Sequence, residues 1–226
     1  MTDPSVDAGT GAPRVAVLDY GIGNLRSAEK ALQHVGARAH LTADPAEAAA
    51  ADAVVLPGVG AFGPCRDALA ASGLDVVALD AAASGRPFLG ICVGMQLLYE
   101  GSDESPGAVG LGILPGHVRR LPDGVKHPQM QWNRLDLRGP GTPLLDGTTA
   151  DGSAPWMYFV HSFAAEVTDD VVATCDYGGP VAAMAVRDNV VATQFHPEKS
   201  GHAGLDLLRN WVRTIPSAGA AGTGED

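Results

Sequence analysis

Three short segments of this chain carry residue types that can do covalent chemistry. The first is Gly90-Ile91-Cys92-Val93-Gly94, between an apolar run and a helical pattern. A nucleophile with glycine two residues away on either side marks a tight strand-to-helix elbow, here with cysteine in place of serine. The glycines answer to a turn that tolerates no Cβ nearby. The unpaired N–H groups of the helix start stabilise negative charge on sulfur, and the Val93 N–H would face a developing oxyanion. The same five residues also read as a buried structural cysteine at a glycine-rich strand end, and on this motif alone the two readings balance. The second segment is Gln194-Phe195-His196-Pro197-Glu198. Residues two apart in an extended chain share a face, so Glu198 can orient the His196 imidazole and raise its basicity. Cysteine as nucleophile, histidine as base and glutamate as orienter complete a set for acyl transfer, although His-Pro-Glu is also ordinary turn composition. The third is Leu56-Pro57-Gly58-Val59-Gly60-Ala61-Phe62-Gly63. Its glycines let backbone N–H groups turn toward a ligand as an oxyanion loop; alone, it reads as a plain strand-to-helix connection.

Other chemistries find little support. Tyr20-Gly21-Ile22-Gly23-Asn24 falls short of GxGxxG, which argues against a dinucleotide site. No CxxC pair occurs and no His, Cys, Asp and Glu cluster has metal-ligand spacing, so neither a metal nor a cofactor is expected. With 15 Lys+Arg against 26 Asp+Glu the net charge is −11, which disfavours nucleic acid and anionic membranes as partners. No apolar run approaches the roughly 18 residues of a membrane span. Met1 to Pro13 lacks the basic start and apolar stretch of a signal peptide. Cys65, Cys92 and Cys175 are too few and too scattered for a disulfide framework. The expectation is a cytoplasmic protein with free thiols. Cys65, Cys175, His34, His40 and His117 read as ordinary core or surface residues.

The elements that must position these segments follow from periodicity. The chain has 226 residues, 46% of them hydrophobic, enough for one domain with a real core. We place that domain at 14–215, with loose tails at 1–13 and 216–226. The first half alternates strands and helices. Strands are expected at Arg14–Asp19, Ala37–Leu41, Ala53–Leu56 and Pro87–Ile91. Helices are expected at Asn24–Val35, at Pro64–Ser84 with a break near Gly73, and at Val93–Glu100. That alternation implies βαβ units and a parallel sheet. The second half has short β-like runs at His117–Leu121, Gln131–Leu137, Trp156–Phe163, Val171–Cys175, Val181–Val186 and Val190–Phe195. Asp188-Asn189 makes a hairpin of the last two, so this half looks antiparallel or mixed. A final helix, Gly204–Ile215, carries Leu205, Leu208, Trp211, Val212 and Ile215 on one face. The fold class is α/β, a mixed and mostly parallel central sheet with flanking helices and an antiparallel portion in the second half.

Taken together, Pro57-Gly58-Val59-Gly60, Gly90 to Gln96 and His196-Pro197-Glu198 resemble the triad class of glutamine amidotransferases. Within that class Asp19 to Leu25, Leu56 to Phe62, Tyr158 to Phe163 and Gln194 to Ser200 resemble the glutaminase subunits of imidazole glycerol phosphate synthase, in order and over residues 14–215. The resemblance implies that Cys92 attacks the glutamine side-chain amide to form a thioester, that His196 relays the proton to ammonia, and that Glu198 orients His196. It implies an oxyanion site at Gly58, Val59, Gly60 and Val93. It implies a site for the amino-acid end of glutamine at Gln96, His161, Ser162 and Phe163. It implies a heterodimer with a cyclase subunit, a (β/α)8 barrel that receives the ammonia, in histidine biosynthesis. Activity would depend on that partner and its ligand, with the Gly58-Val59-Gly60 strand reorienting to complete the oxyanion hole. Asn24, Met130, Trp132, Asn133, Tyr158 and Lys199 would form the interface. Two places depart from the pattern. The family reads Pro-His-Met-Gly-Trp-Asn where this chain has Pro128-Gln129-Met130-Gln131-Trp132-Asn133, and tyrosine is usual where Phe163 stands. Neither touches the triad. The Tyr-Gly-x-Gly-Asn start and the Glu-Lys-Ser ending disfavour a glutaminase of another pathway. Gln96 and the Pro-Gly-Val-Gly loop disfavour a cysteine peptidase or related elbow-cysteine protein.

Overall fold

The computed structural model describes residues 11–23, 25–139, 142–149 and 152–216. The expected tails therefore lie outside the described residues except for 11–13 and Pro216. In chain order the elements are β1 (Arg14–Leu18), α1 (Leu25–His34), β2 (Arg38–Thr42), α2 (Pro45–Ala49), β3 (Ala53–Gly58), α3 (Phe62–Ala71), α4 (Leu74–Ala83), β4 (Phe88–Cys92), α5 (Val93–Gln96), β5 (Val118–Arg120), β6 (Gln129–Arg134), β7 (Asp136–Leu137), β8 (Trp156–His161), β9 (Phe163–Ala165), β10 (Val171–Asp176), β11 (Pro180–Arg187), β12 (Val190–Thr193) and α6 (Gly201–Arg213). Single 3-10 turns occupy Pro143–Leu145 and Pro197–Lys199.

Eight strands form one sheet in the order β2-β1-β3-β4-β12-β11-β10-β7. From β2 to β12 every neighbour is parallel, and beyond β12 every neighbour is antiparallel. The parallel strands β3, β4 and β12 are buried at every residue. Helices cover both faces of such a sheet, which is why these strands read as unbroken apolar runs rather than as alternation. Helix α1 turns Leu25, Ala28, Ala31 and Leu32 inward. Helix α6 does the same with Leu207, Leu208, Trp211 and Val212, and Leu205 packs half-buried beside them.

The break expected near Gly73 is present: the 64–84 run is two helices, with Gly73 at φ 72° between them. Three expected elements differ from what forms. The helix expected over Val93–Glu100 stops at Gln96. The carbonyls of Leu97, Leu98, Tyr99 and Glu100 are taken instead by the N–H groups of Leu111, Leu114, Gly112 and Gly110, which return alongside. The run at Gln131–Leu137 divides at buried Leu135, with β6 paired to β8 in a two-stranded ribbon and β7 on the edge of the main sheet. The run at Trp156–Phe163 divides at Ser162, whose carbonyl accepts from Leu121 N–H while β9 pairs with β5. The Asp188-Asn189 hairpin forms between β11 and β12, with Asp188 at φ 52°.

Candidate active site

Strand β4 ends at Cys92, and the chain turns there into α5. Cys92 adopts φ 56° and ψ −113°, an uncommon and strained backbone for a side chain of any size. The strain is held by close packing of two strand ends. A Cβ on Gly94 would stand 1.8 Å from the Leu56 carbonyl oxygen of neighbouring β3, so position 94 has no room for any side chain. Gly94→Ala should therefore push β3 and β4 apart. We expect a loss of about 3 kcal/mol, read as a lowered denaturation midpoint, together with loss of whatever activity Cys92 supports.

Strand β12 lies beside β4 with Thr193 opposite Ile91, so the residues that follow it emerge next to Cys92. His196 and Glu198 sit there, side chains 3% and 5% exposed, and Glu198 Oε1 meets His196 Nδ1 at 2.8 Å. The turn is pinned by backbone. His196 N–H donates to the Tyr158 carbonyl, and Ser200 Oγ donates to the His196 carbonyl at 2.7 Å. Burial alone would lower the imidazole pKa. Hydrogen bonding and charge from Cys92, then Glu198, outweigh it and raise the value from the ordinary 6.5 to about 9. Nε2 is the ring nitrogen left to face Cys92, buried and at a looser approach than a full hydrogen bond. The raised value has a sign in stability. The protonated ring contributes fully below about pH 6.5, and that contribution is lost as pH rises through about 9. Denaturation followed across that window should show the loss. Glu198→Gln removes one group that holds the charge, and should move the loss to lower pH.

A cavity of about 170 Å³ opens over these residues, lined by Val59, Gly60, Cys92, Val93, Gln96, Glu104, Val160, His161, Ser162, Phe163, His196 and Lys199. That is amino-acid size, well below the roughly 300–1,000 Å³ of sites for larger ligands. Buried Gln96 crosses its floor, its Nε2 donating to the Phe163 carbonyl at 2.8 Å and to Gln194 Oε1 at 3.0 Å. Gln194 Nε2 in turn reaches Cys92 Sγ at 3.8 Å. His161 Nδ1 donates to the same Phe163 carbonyl at 2.9 Å. Burial lowers the His161 pKa to about 4, so this second histidine is a neutral, orientation-locked ring rather than a second base.

Thus the cavity gathers Cys92, Val59, Gly60, Val93, Gln96, His161, Ser162, Phe163 and His196, with Gly58 just behind it, facing Cys92 in the β3–β4 ladder, and Glu198 behind the imidazole. Of the expected interface residues that are described, Lys199 reaches the cavity rim and the others lie elsewhere. Met130 and Trp132 are exposed on β6, Trp132 meets Tyr158 of β8 edge to face, and Asn133 donates to the Asp176 carbonyl. Asn24 lies outside the described residues. Two site residues escaped the sequence reading. Glu104 lines the cavity and accepts from Phe62 N–H at 2.8 Å, but it sits in an irregular acidic stretch with no periodicity. Gln194 stood inside the recognised motif, and only the fold shows that its amide reaches Cys92. Among the described residues no group of three or more His, Cys, Asp and Glu is placed to hold a metal ion.

Comparison with known proteins adds the following. The family model described as glutamine amidotransferase class-I matches residues 16–215. The imidazole glycerol phosphate synthase subunit HisH of Methanothermobacter thermautotrophicus is 50% identical over 202 residues, spanning 89% of this chain and 98% of that protein. The subunit of the same name from Synechococcus elongatus is 49% identical over 211 residues, spanning 91% and 95%. Among solved structures, that of PurLQS from Thermotoga maritima superimposes with a TM-score of 0.70 at 22% identity, covering 91% of this chain and 100% of the other, a likeness of fold alone.

Proposed function

The chain belongs to the class I glutamine amidotransferase family, and from that premise we propose that it is the glutaminase subunit of an imidazole glycerol phosphate synthase, acting in histidine biosynthesis. The observation that carries the chemistry is one arrangement. A cysteine on a strained elbow and a buried histidine bound to Glu198 at 2.8 Å face one amino-acid-sized cavity. Sequence identity near 50% over most of the chain supports the pathway.

In this reading glutamine enters with its side-chain amide over Cys92. His196 takes the Cys92 thiol proton as the sulfur attacks the amide carbon, and gives it to the departing nitrogen as the C–N bond breaks, releasing ammonia. The product is a glutamyl thioester. His196 then takes a proton from water, which attacks the thioester carbon and releases glutamate and the Cys92 thiol. Glu198 holds the ring and offsets its charge when protonated. Negative charge on the substrate oxygen is met by N–H groups of Val93 and of the Gly58-Val59-Gly60 segment. Gln96, Ser162 and Phe163 hold the amino-acid end, and the Glu104 carboxylate suits its ammonium group.

Ammonia is then consumed by a cyclase partner. The face we assign to it is the β6–β8 ribbon with Lys199. Met130 and Trp132 are 61% and 48% exposed there, although both are large and apolar. Tyr158 of that ribbon is also the residue whose carbonyl holds His196. No helix among the described residues is long and apolar enough to cross a membrane.

The test is glutamate release from glutamine, first by the purified chain, then with an imidazole glycerol phosphate cyclase subunit and its ribotide ligand. We expect slow release alone and a large rise in the complex. Full activity alone, with no response to the cyclase, would reject the pathway assignment and leave the glutaminase chemistry standing.

A further inference from the structure

We propose that Tyr20 and Cys65 are positioning residues that hold the Pro57 and Val59 carbonyls away from Cys92, one on each side of the Gly58–Val59 peptide. The inference rests on the glutaminase reading and adds to it two side chains that lie outside the cavity. Tyr20 follows β1, and its hydroxyl donates to the Pro57 carbonyl at 2.7 Å. Cys65 sits in the first turns of α3, and its thiol donates to the Val59 carbonyl at 3.3 Å. Both side chains are buried, 5% and 0% exposed. The fit at the strand end is close. A Cβ on Gly58 would stand 2.8 Å from the Tyr20 hydroxyl and 2.8 Å from Gly94 N, so this glycine makes room for the phenol and for the elbow at once.

The consequence follows from peptide planarity. In a trans peptide the C=O and the next N–H point in opposite directions. Anchoring the Val59 carbonyl to Cys65, under α3, turns the Gly60 N–H the other way, and Gly60 lines the cavity beside Cys92. Anchoring the Pro57 carbonyl to Tyr20 fixes the peptide that leads into this segment. A carbonyl oxygen facing the tetrahedral intermediate would repel its oxyanion, whereas an N–H stabilises it. Burial raises the pKa of both the phenol and the thiol, so both keep the proton they donate.

The experiment compares Tyr20→Phe, Cys65→Val and Cys65→Ser with the wild type, measuring glutamate release in the complex with the cyclase and its ribotide. Tyr20→Phe and Cys65→Val each lose a donor while filling their space. We expect kcat to fall about tenfold in each, less than the cost of deleting an oxyanion donor outright. The KM for glutamine should stay within about twofold, because the amino-acid end is held elsewhere. Cys65→Ser keeps a donor and should retain most of kcat. A packing role predicts the reverse order, with apolar valine tolerated better than serine. If Cys65→Val fails to fold, Tyr20→Phe carries the test. Wild-type kcat in Tyr20→Phe and Cys65→Val, serine no better than valine, or a raised rate without the cyclase would overturn the proposal. A wild type that releases no glutamate would overturn the glutaminase reading as well. A wild type that turns over while the variants match it overturns only the positioning role.

Discussion

Cys92→Ala will abolish glutamate release and leave the domain folded. Neither His161 nor Ser162, its neighbours in the cavity, can take its place as nucleophile. His161 is held near pKa 4 with Nδ1 committed to a carbonyl, and Ser162 comes with no base to activate it. Loss of a covalent nucleophile removes the thioester route altogether, and a fall of roughly 10⁴-fold or more is the scale seen when one member of such a unit is deleted. Removing one sulfur costs little volume, on the order of 1 kcal/mol in a core site. Turnover and thermal unfolding measured on one preparation separate the two effects. Retained turnover would remove Cys92 from the mechanism. Lost turnover with a collapsed melting transition would mean that the sulfur matters to the elbow rather than to the chemistry.

His196→Ala should fall almost as far, and Glu198→Gln less far. His196 moves protons in both halves of the cycle, whereas Glu198 acts through the ring it holds at 2.8 Å. For the orienting carboxylate of a triad, conversion to the amide costs about 10⁴-fold at most, because the wrong tautomer is favoured. The Cys92→Ala, His196→Ala double variant should be no worse than either single, since both remove the same route. Equal losses in His196→Ala and Glu198→Gln would mean that the carboxylate does more than orient. Additive losses in the double variant would mean that the two residues do not act as a unit.

The parts legible beforehand are those where one local rule suffices. Gly90 and Gly94 around Cys92 announced the elbow, and the structure shows a Gly94 with no space for a Cβ. The alternation of short apolar runs and helical patterns in the first half announced a parallel sheet, which β1 to β4 form. What stayed hidden depends on partners distant in sequence. The helix after Cys92 has the residues to continue past Gln96, but its carbonyls are captured by residues 110–114. The breaks at Leu135 and Ser162 are changes of sheet partner, which periodicity along one strand cannot register. Helix α2 is too short for periodicity, and only Asp44 capping Ala46 N–H ahead of Pro45 could have signalled it. Glu104, Tyr20 and Cys65 gain their places from contacts with Phe62, Pro57 and Val59, none of which spacing foretells.

The position of β12 in the sheet also sets a timetable. This strand is the last of the sheet in chain order, yet it lies in the middle, between β4 and β11. On the ribosome, β4 and its Cys92 emerge about a hundred residues before His196 does, and contacts of such separation close late in folding. Until then β4 is an open edge, a ready template for a foreign strand. One insertion both seals that edge and brings the base to its nucleophile. An unfinished chain therefore carries an unarmed cysteine, and glutamine hydrolysis begins only when synthesis of the domain is essentially complete.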